Sequence, residues 1–76
     1  MSEPVIQRWD RVIHKNVRSK EGTDIGNVIS ESGDTFTVMQ GAKTEYNIPK
    51  SAVEGFDGSE LYLSIPYSEV LRYKVA

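Results

Sequence analysis

Residues 46–65, YNIPKSAVEGFDGSELYLSI, constrain the fold more than any other part of this chain. Tyr46 and Ile48 share one face of an alternating run that stops at Pro49. Proline has no N–H to give a ladder, so it ends a strand or sits at an edge. Lys50, Ser51 and Ala52 turn a corner, and Val53 points back toward a core. Residues 54–59, with two glycines and an Asp-Gly pair, read as a turn. Leu61, Leu63 and Ile65 then alternate with Tyr62 and Ser64 until Pro66. A strand, a corner, a glycine-rich turn and a returning strand in so short a span specify a small, sharply folded β structure.

The remainder of the chain repeats the theme. Residues 35–40 alternate cleanly, with Phe36 and Val38 on one face and Thr35, Thr37 and Met39 on the other. β-branched and aromatic side chains suit a pleated surface. Turn residues flank this run, Ser32-Gly33-Asp34 before and Gly41-Ala42-Lys43 after. In residues 24–31 the apolar positions Ile25, Val28 and Ile29 break strict alternation around Gly26. A glycine within a strand marks a bulge or a close backbone approach. A bulge here resets the phase and puts Ile25 and Val28 on one face. Residues 16–19 form a short strand, Val17 inward and Arg18 outward, joined to the next by Lys20-Glu21-Gly22-Thr23.

The two ends are ambiguous. Val5 or Ile6, Trp9, and Val12 or Ile13 recur at helical spacing, and Pro4 suits a first helical turn. Three turns alone make a marginal helix, so an irregular arm that packs Trp9 across the barrel mouth is the alternative. Near the C-terminus, Tyr67, Val70, Leu71 and Tyr73 have helical spacing, whereas Leu71, Tyr73 and Val75 alternate. A helical turn at 66–69 followed by an extended closing segment reconciles them. The expected architecture is all-β: a five- to six-stranded barrel with short helical turns near the termini. Residues 1–13 form an arm or short helix, and 14–76 a single domain. Closure is favoured because it removes exposed sheet edges.

At 76 residues the chain is one domain that buries only about 60–65% of its unfolded surface. There are no cysteines, hence no disulfide, no thiolate nucleophile and no cysteine zinc site. Nine basic against eleven acidic residues give a net charge of −2, which disfavours nucleic acid as a partner, since a duplex-binding domain carries a basic excess. No apolar run approaches the roughly 20 residues of a membrane span, and the opening Met-Ser-Glu-Pro lacks the regions of a secretory signal. The expectation is a cytoplasmic protein with no direct membrane insertion.

Chemistry-bearing motifs are not apparent. Phosphate-binding loops, nucleophile elbows and zinc-protease helices do not occur. The acidic residues 54–60 miss the spacing of a calcium loop. His14, the only histidine, would need a base or nucleophile partner; Asp10 is within reach on a helix, but nothing completes a triad. Glu31 and Asp34 flank a turn rather than an apolar cleft that would raise a carboxyl pKa. The expectation is therefore a non-enzymatic protein without cofactor or metal. Two surfaces stand out instead. Arg8, Arg11, Lys15, Arg18 and Lys20 cluster around Trp9, which is the basis of an RNA-binding alternative, although Glu3, Asp10 and Glu21 interleave. Tyr62, Tyr67 and Tyr73 supply aromatic area near the end. The candidate partner contacts are Trp9, Arg8, Arg11, Met39, Tyr62, Tyr67 and Tyr73, large side chains of the kind that anchor interfaces.

Two ordered runs carry a family resemblance. Val17-Arg18-Ser19-Lys20-Glu21-Gly22-Thr23-Asp24-Ile25-Gly26-Asn27-Val28 resembles the opening hairpin of PRC-barrel domains. Tyr46-Asn47-Ile48-Pro49-Lys50-Ser51-Ala52-Val53 with Glu60-Leu61-Tyr62-Leu63 resembles that family's second half, in the expected order. The tryptophan-containing first dozen residues lie outside the likeness. The resemblance implies a small β-barrel without enzymatic activity, of the stand-alone type common in archaea. It implies an adaptor that forms a homodimer, a higher homo-oligomer or a hetero-oligomer with a paralogue. It also implies a protein partner such as a SepF-like membrane-anchoring division protein, and recruitment to the division site. The alternative expectation is a ribosome-assembly factor that binds RNA.

Overall fold

Alternation and glycine turns produce six strands in the computed structural model, which describes residues 6 and 8–75. They are β1 (Asn16–Arg18), β2 (Asp24–Ser32), β3 (Thr35–Gln40), β4 (Thr44–Pro49), β5 (Val53–Phe56) and β6 (Glu60–Leu63). All lie in one sheet of order β4-β3-β2-β1-β6-β5. Neighbours run antiparallel except β1 and β6, which pair in parallel with Asn16 opposite Glu60 and Arg18 opposite Tyr62. Among the described residues no helix is long and apolar enough to cross a membrane.

The all-β expectation holds, and so does the bulge in β2. The register of β2 against β1 slips between Val17 and Arg18, leaving Ile25 as the extra residue. A second slip leaves Ile29 extra against β3. Two bulges in one strand let Ile25 and Val28 both point inward at 0% exposure while Ile29 turns out at 38%. The core takes one or more side chains from every strand: Val17, Ile25, Val28, Phe36, Val38, Tyr46, Ile48, Val53, Leu61 and Leu63. Each buried aliphatic or aromatic side chain stabilises the fold by about 1.5–3 kcal/mol relative to exposure. A single sheet whose inner face forms one cluster must bend around it, and bulges supply the bend.

The barrel is not closed. β4 and β5 are the two edges of the sheet, although only the 3-10 turn Lys50–Ala52 separates them in the chain. Val53 is drawn to Leu63 of β6 instead, and the Ala52 carbonyl accepts the Ser64 N–H at 2.8 Å. Both edges are blunted. On the outer side of β4, Lys74 bridges Tyr46 and the Val75 N–H donates to the Glu45 carbonyl at 2.8 Å, while Pro49 has no N–H. β5 is short and bulged at Glu54. Short, charged or bulged edges are the usual defence against stray strand pairing.

Three boundaries differ from expectation. Glu54, Gly55 and Phe56 belong to β5 rather than to a turn. The turn shrinks to 57–59, where Asp57 Oδ1 accepts the N–H groups of Ser59 and Glu60 at 2.8 Å each. β6 ends at Leu63, not Ile65. At the C-terminus the helical course continues from α1 (Tyr67–Val70) through the 3-10 turn Leu71–Tyr73, so only Lys74 and Val75 are extended. Val70, wholly buried, holds this course against the core. At the other end the expected start at Pro4 and Val5 lies outside the described residues. The described part is a buried Ile6, a 3-10 turn Trp9–Arg11 and a buried Val12.

Candidate interaction surfaces

Strand alternation sends every second side chain to the outside of the sheet, and the outside divides into two chemically different halves. Over β1 and β6 it is charged. The parallel register brings Arg18 beside Glu60: its Nε donates to Glu60 Oε2 at 2.9 Å, and its Nη1 to the Gly22 carbonyl at 2.9 Å. The Tyr62 hydroxyl lies 2.9 Å from Asp57 Oδ2 and 3.2 Å from Glu60 Oε1 and donates to these carboxylates. Asn16 Nδ2 donates to Asp24 Oδ1 at 2.8 Å and to the Gly26 carbonyl at 3.0 Å. This half therefore holds three carboxylates, of Glu60, Asp57 and Asp24, and one guanidinium, which bonds Glu60. The hydrogen bond to Asp57, then desolvation, push the Tyr62 pKa up to about 12, because a phenolate there would sit among carboxylates. Backbone N–H groups of Glu60 and Ser59 hold the Asp57 carboxyl below its ordinary range.

Over β3 the outside is almost uncharged. Thr35, Thr37 and Met39 point outward, each half-buried between neighbours. Register places Ser32 and Pro49 beside Thr35, Ser30 and Asn47 beside Thr37, and Asn27 and Glu45 beside Met39. Glu45 is the one charge in this three-strand patch, in a chain where 26% of residues are charged, and the exposed Ile29 borders it. Met39, singled out from sequence as an outward apolar residue, stands in this patch. The flanking threonines were equally visible in the alternation, but their small size gave no reason to select them.

Trp9, Arg8 and Arg11 sit at one end of the curved sheet. The Trp9 ring lies on Phe36 with centroids 5.0 Å apart, and Lys50 Nζ is 4.8 Å from its centroid. Lys50 also pairs with Glu31 Oε1 at 2.6 Å. Trp9 is thus half-buried, one side of its ring covered by Phe36. Arg8 pairs with Asp10 at 3.3 Å, and the Arg8 hydrogen bond holds the Asp10 carboxyl below its usual range; a pair this exposed adds little stability. Arg8 and Arg18, two of the five basic residues of that cluster, are engaged by carboxylates. His14 occupies a left-handed backbone position, φ 72°, and its N–H donates to the Val28 carbonyl at 2.6 Å. Among the described residues no group of three or more His, Cys, Asp or Glu is placed to hold a metal ion.

The tyrosines do not form one patch. Tyr62 belongs to the charged half, and Tyr67 to a separate cluster with Tyr46 and Gln40. Tyr46 OH donates to Gln40 Oε1 at 2.6 Å; Tyr67 OH lies 3.3 Å from the same oxygen and 3.4 Å from Tyr46 OH. The Tyr67 N–H is also held by Glu21, at 3.2 Å to Oε1. Tyr73 packs partly against the core. Sequence reasoning missed Gln40 and Glu21 because only the fold brings them to Tyr67.

Burial first, then the hydrogen bond with Tyr67, raise the Tyr46 pKa from 10.0 to about 12. An acid whose pKa rises on folding holds its proton more tightly when folded. Its contribution is intact below pH 10 and is lost as pH climbs to about 12. Denaturation midpoints should therefore fall across that window. Tyr46→Phe should remove part of the fall, Tyr62 supplying another part, and cost about 1 kcal/mol at pH 7. Identical alkaline limbs in wild type and Tyr46→Phe would refute this.

Comparison of the chain with protein-family models, curated proteins and solved structures gave no match.

Proposed function

We propose that this protein is a non-enzymatic interaction module, an open version of the PRC-type barrel that associates with itself and with a protein partner. The observation that supports this reading is the division of the outer sheet face. One half is charged and internally hydrogen-bonded; the other is nearly charge-free around Thr37 and Met39. Two chemically distinct surfaces on one rigid sheet suit an adaptor, since each selects its own partner. The cellular setting, an assembly of the cell-division machinery with a SepF-like membrane anchor, rests on the resemblance of residues 17–28, 46–53 and 60–63 to PRC-barrel domains. In that setting the protein is cytoplasmic and reaches the membrane through its partner.

Affinity capture from native lysate, read by mass spectrometry, tests the reading. At least one protein should be enriched about tenfold over a tag-only control, equivalent to about 1.4 kcal/mol of selective binding. Enrichment should fall when one half of the face is changed, by Met39→Glu or by Glu60→Gln with Asp57→Asn, and survive the other change. If nothing is enriched, or if neither change matters, the protein is not an adaptor acting through this face.

A further inference from the structure

We infer that Asp57-Gly58 is a modification site: the linkage at which this chain isomerises to isoaspartate when the β5–β6 turn opens, and which the folded turn shields through three hydrogen bonds on the Asp57 carboxylate.

The chemistry starts in the sequence. An aspartyl residue isomerises when the backbone nitrogen of the next residue attacks its Cγ. That nitrogen bonds to Cγ, its proton and the hydroxyl of the protonated carboxyl depart as water, and a cyclic succinimide closes. Water then adds to either ring carbonyl and breaks that carbonyl's bond to nitrogen. Opening at Cγ restores aspartate. Opening at the α-carbonyl leaves the main chain running through Cγ, with a free α-carboxylate. No oxidant or reductant enters. Crowding at the attacking nitrogen limits the first step, so glycine, which has no Cβ and permits close backbone approach, is the most permissive successor. The chain has seven Asp or Asn residues, and only Asp57 precedes a glycine; β-branched Val, Ile or Thr follows five of the others. Asp57 and Gly58 are both exposed, so water reaches them.

The folded turn opposes the reaction twice. Asp57 Oδ1 accepts the N–H groups of Ser59 and Glu60 at 2.8 Å each, and Oδ2 accepts the Tyr62 hydroxyl at 2.9 Å. Both oxygens are thus tied to residues beyond Gly58, and bringing Cγ onto the Gly58 nitrogen means giving these bonds up. The backbone cannot swing to meet the side chain instead. The Asp57 N–H donates to the Glu60 carbonyl at 3.2 Å, and Phe56 pairs with Leu61 just before the turn. The same bonds also favour the ionised carboxylate, which they hold below its ordinary range, so little of the protonated form with a departing hydroxyl is present. Isomerisation in its turn undoes the turn. It adds a methylene to the main chain between Phe56 and Gly58 and moves the carboxylate off the side chain that holds Ser59 and Glu60. An opening long enough for the reaction leaves a covalent record.

The full chain, kept warm at mildly acid pH, folded in buffer or unfolded in guanidinium chloride, tests this. Isoaspartate is read with an endoproteinase that cleaves before aspartate but not before isoaspartate, and by chromatography of the two peptides of equal mass. Unfolded protein should isomerise at Asp57 at least about tenfold faster than folded protein, a barrier difference of about 1.4 kcal/mol. Asp34, which precedes Thr35, should stay unchanged in both. Tyr62→Phe should speed the folded-state reaction at least about threefold, since one of the three bonds is gone, and leave the unfolded-state rate unaltered. Thermal melting should show the variant folded; if it melts early, the wild-type comparison decides. Equal rates in folded and unfolded wild type overturn the shielding, and an Asp57 that does not isomerise when unfolded overturns the site. An unchanged folded-state rate in a well-folded Tyr62→Phe overturns the part given to that hydroxyl.

Discussion

Gly26→Ala is expected to leave the chain largely unfolded in water at 25 °C. Gly26 has φ +133°, a region that side-chain-bearing residues rarely enter, and a Cβ there would lie 2.2 Å from the Met39 carbonyl oxygen and 2.8 Å from its carbon. These are backbone atoms of a central strand and have no rotamer by which to escape. Relief requires β3 to move off β2, which breaks the ladder of five paired positions between them. A cost above about 4 kcal/mol follows, a size reserved for strain or overpacking. A domain this short holds only about 0.05–0.15 kcal/mol per residue. Gly33→Ala is the control: φ is +59° there and nothing lies within 4 Å of the added carbon, so only the left-handed strain of about 1–2 kcal/mol applies. Urea denaturation followed by circular dichroism separates the two. Equal midpoints would mean that β2 and β3 do not approach so closely at Gly26.

Phe36→Ala should have the next largest effect. Phe36 is 1% exposed, and its ring carries Trp9 at a centroid distance of 5.0 Å. Truncating a buried phenylalanine costs about 3–5 kcal/mol, and loss of the ring pair adds roughly 0.5–1.5 kcal/mol. Trp9 is the only tryptophan, so the fluorescence reports on the surroundings of this one ring. The emission should shift to the red in Phe36→Ala even under conditions where the sheet persists, and Phe36→Leu should shift it less. An unshifted spectrum in a destabilised Phe36→Ala variant would show that Trp9 draws its cover from elsewhere.

Much of this fold was legible in residue order. Thr35 to Gln40 announced a strand by alternation, and β3 is where it was expected. Gly26 announced a bulge, and the burial of both Ile25 and Val28 follows from it. β5 was hidden because Glu54, Gly55 and Phe56 have the composition of a turn, and a short edge strand supplies no alternation to outvote glycine. Closure was inferred from a general advantage of barrels, whereas this chain blunts its edges with Pro49, the Glu54 bulge and the Lys74–Val75 tail. The contact candidates lie in different surroundings for a related reason. Size and apolarity picked out Trp9 and Tyr67, which the fold spends on Phe36 and on the Tyr46–Gln40 cluster. The charge-free face is a property of three neighbouring strands and becomes visible only once their register is known.

The parallel pairing of β1 with β6 has a consequence for how the chain reaches this structure. β2, β3 and β4 follow one another through short turns and can zip as a meander as soon as they exist. β1 gains its second neighbour only when Glu60 and Tyr62 arrive, after most of the chain has been made. Until then its outer backbone groups, and the inner faces of Val17 and Leu61, have no mutual cover. Contacts so far apart in sequence slow folding toward the millisecond-to-second range. β1 must therefore wait, half-paired, until β6 arrives and joins it to β5, so the middle of the sheet and one of its edges are completed together.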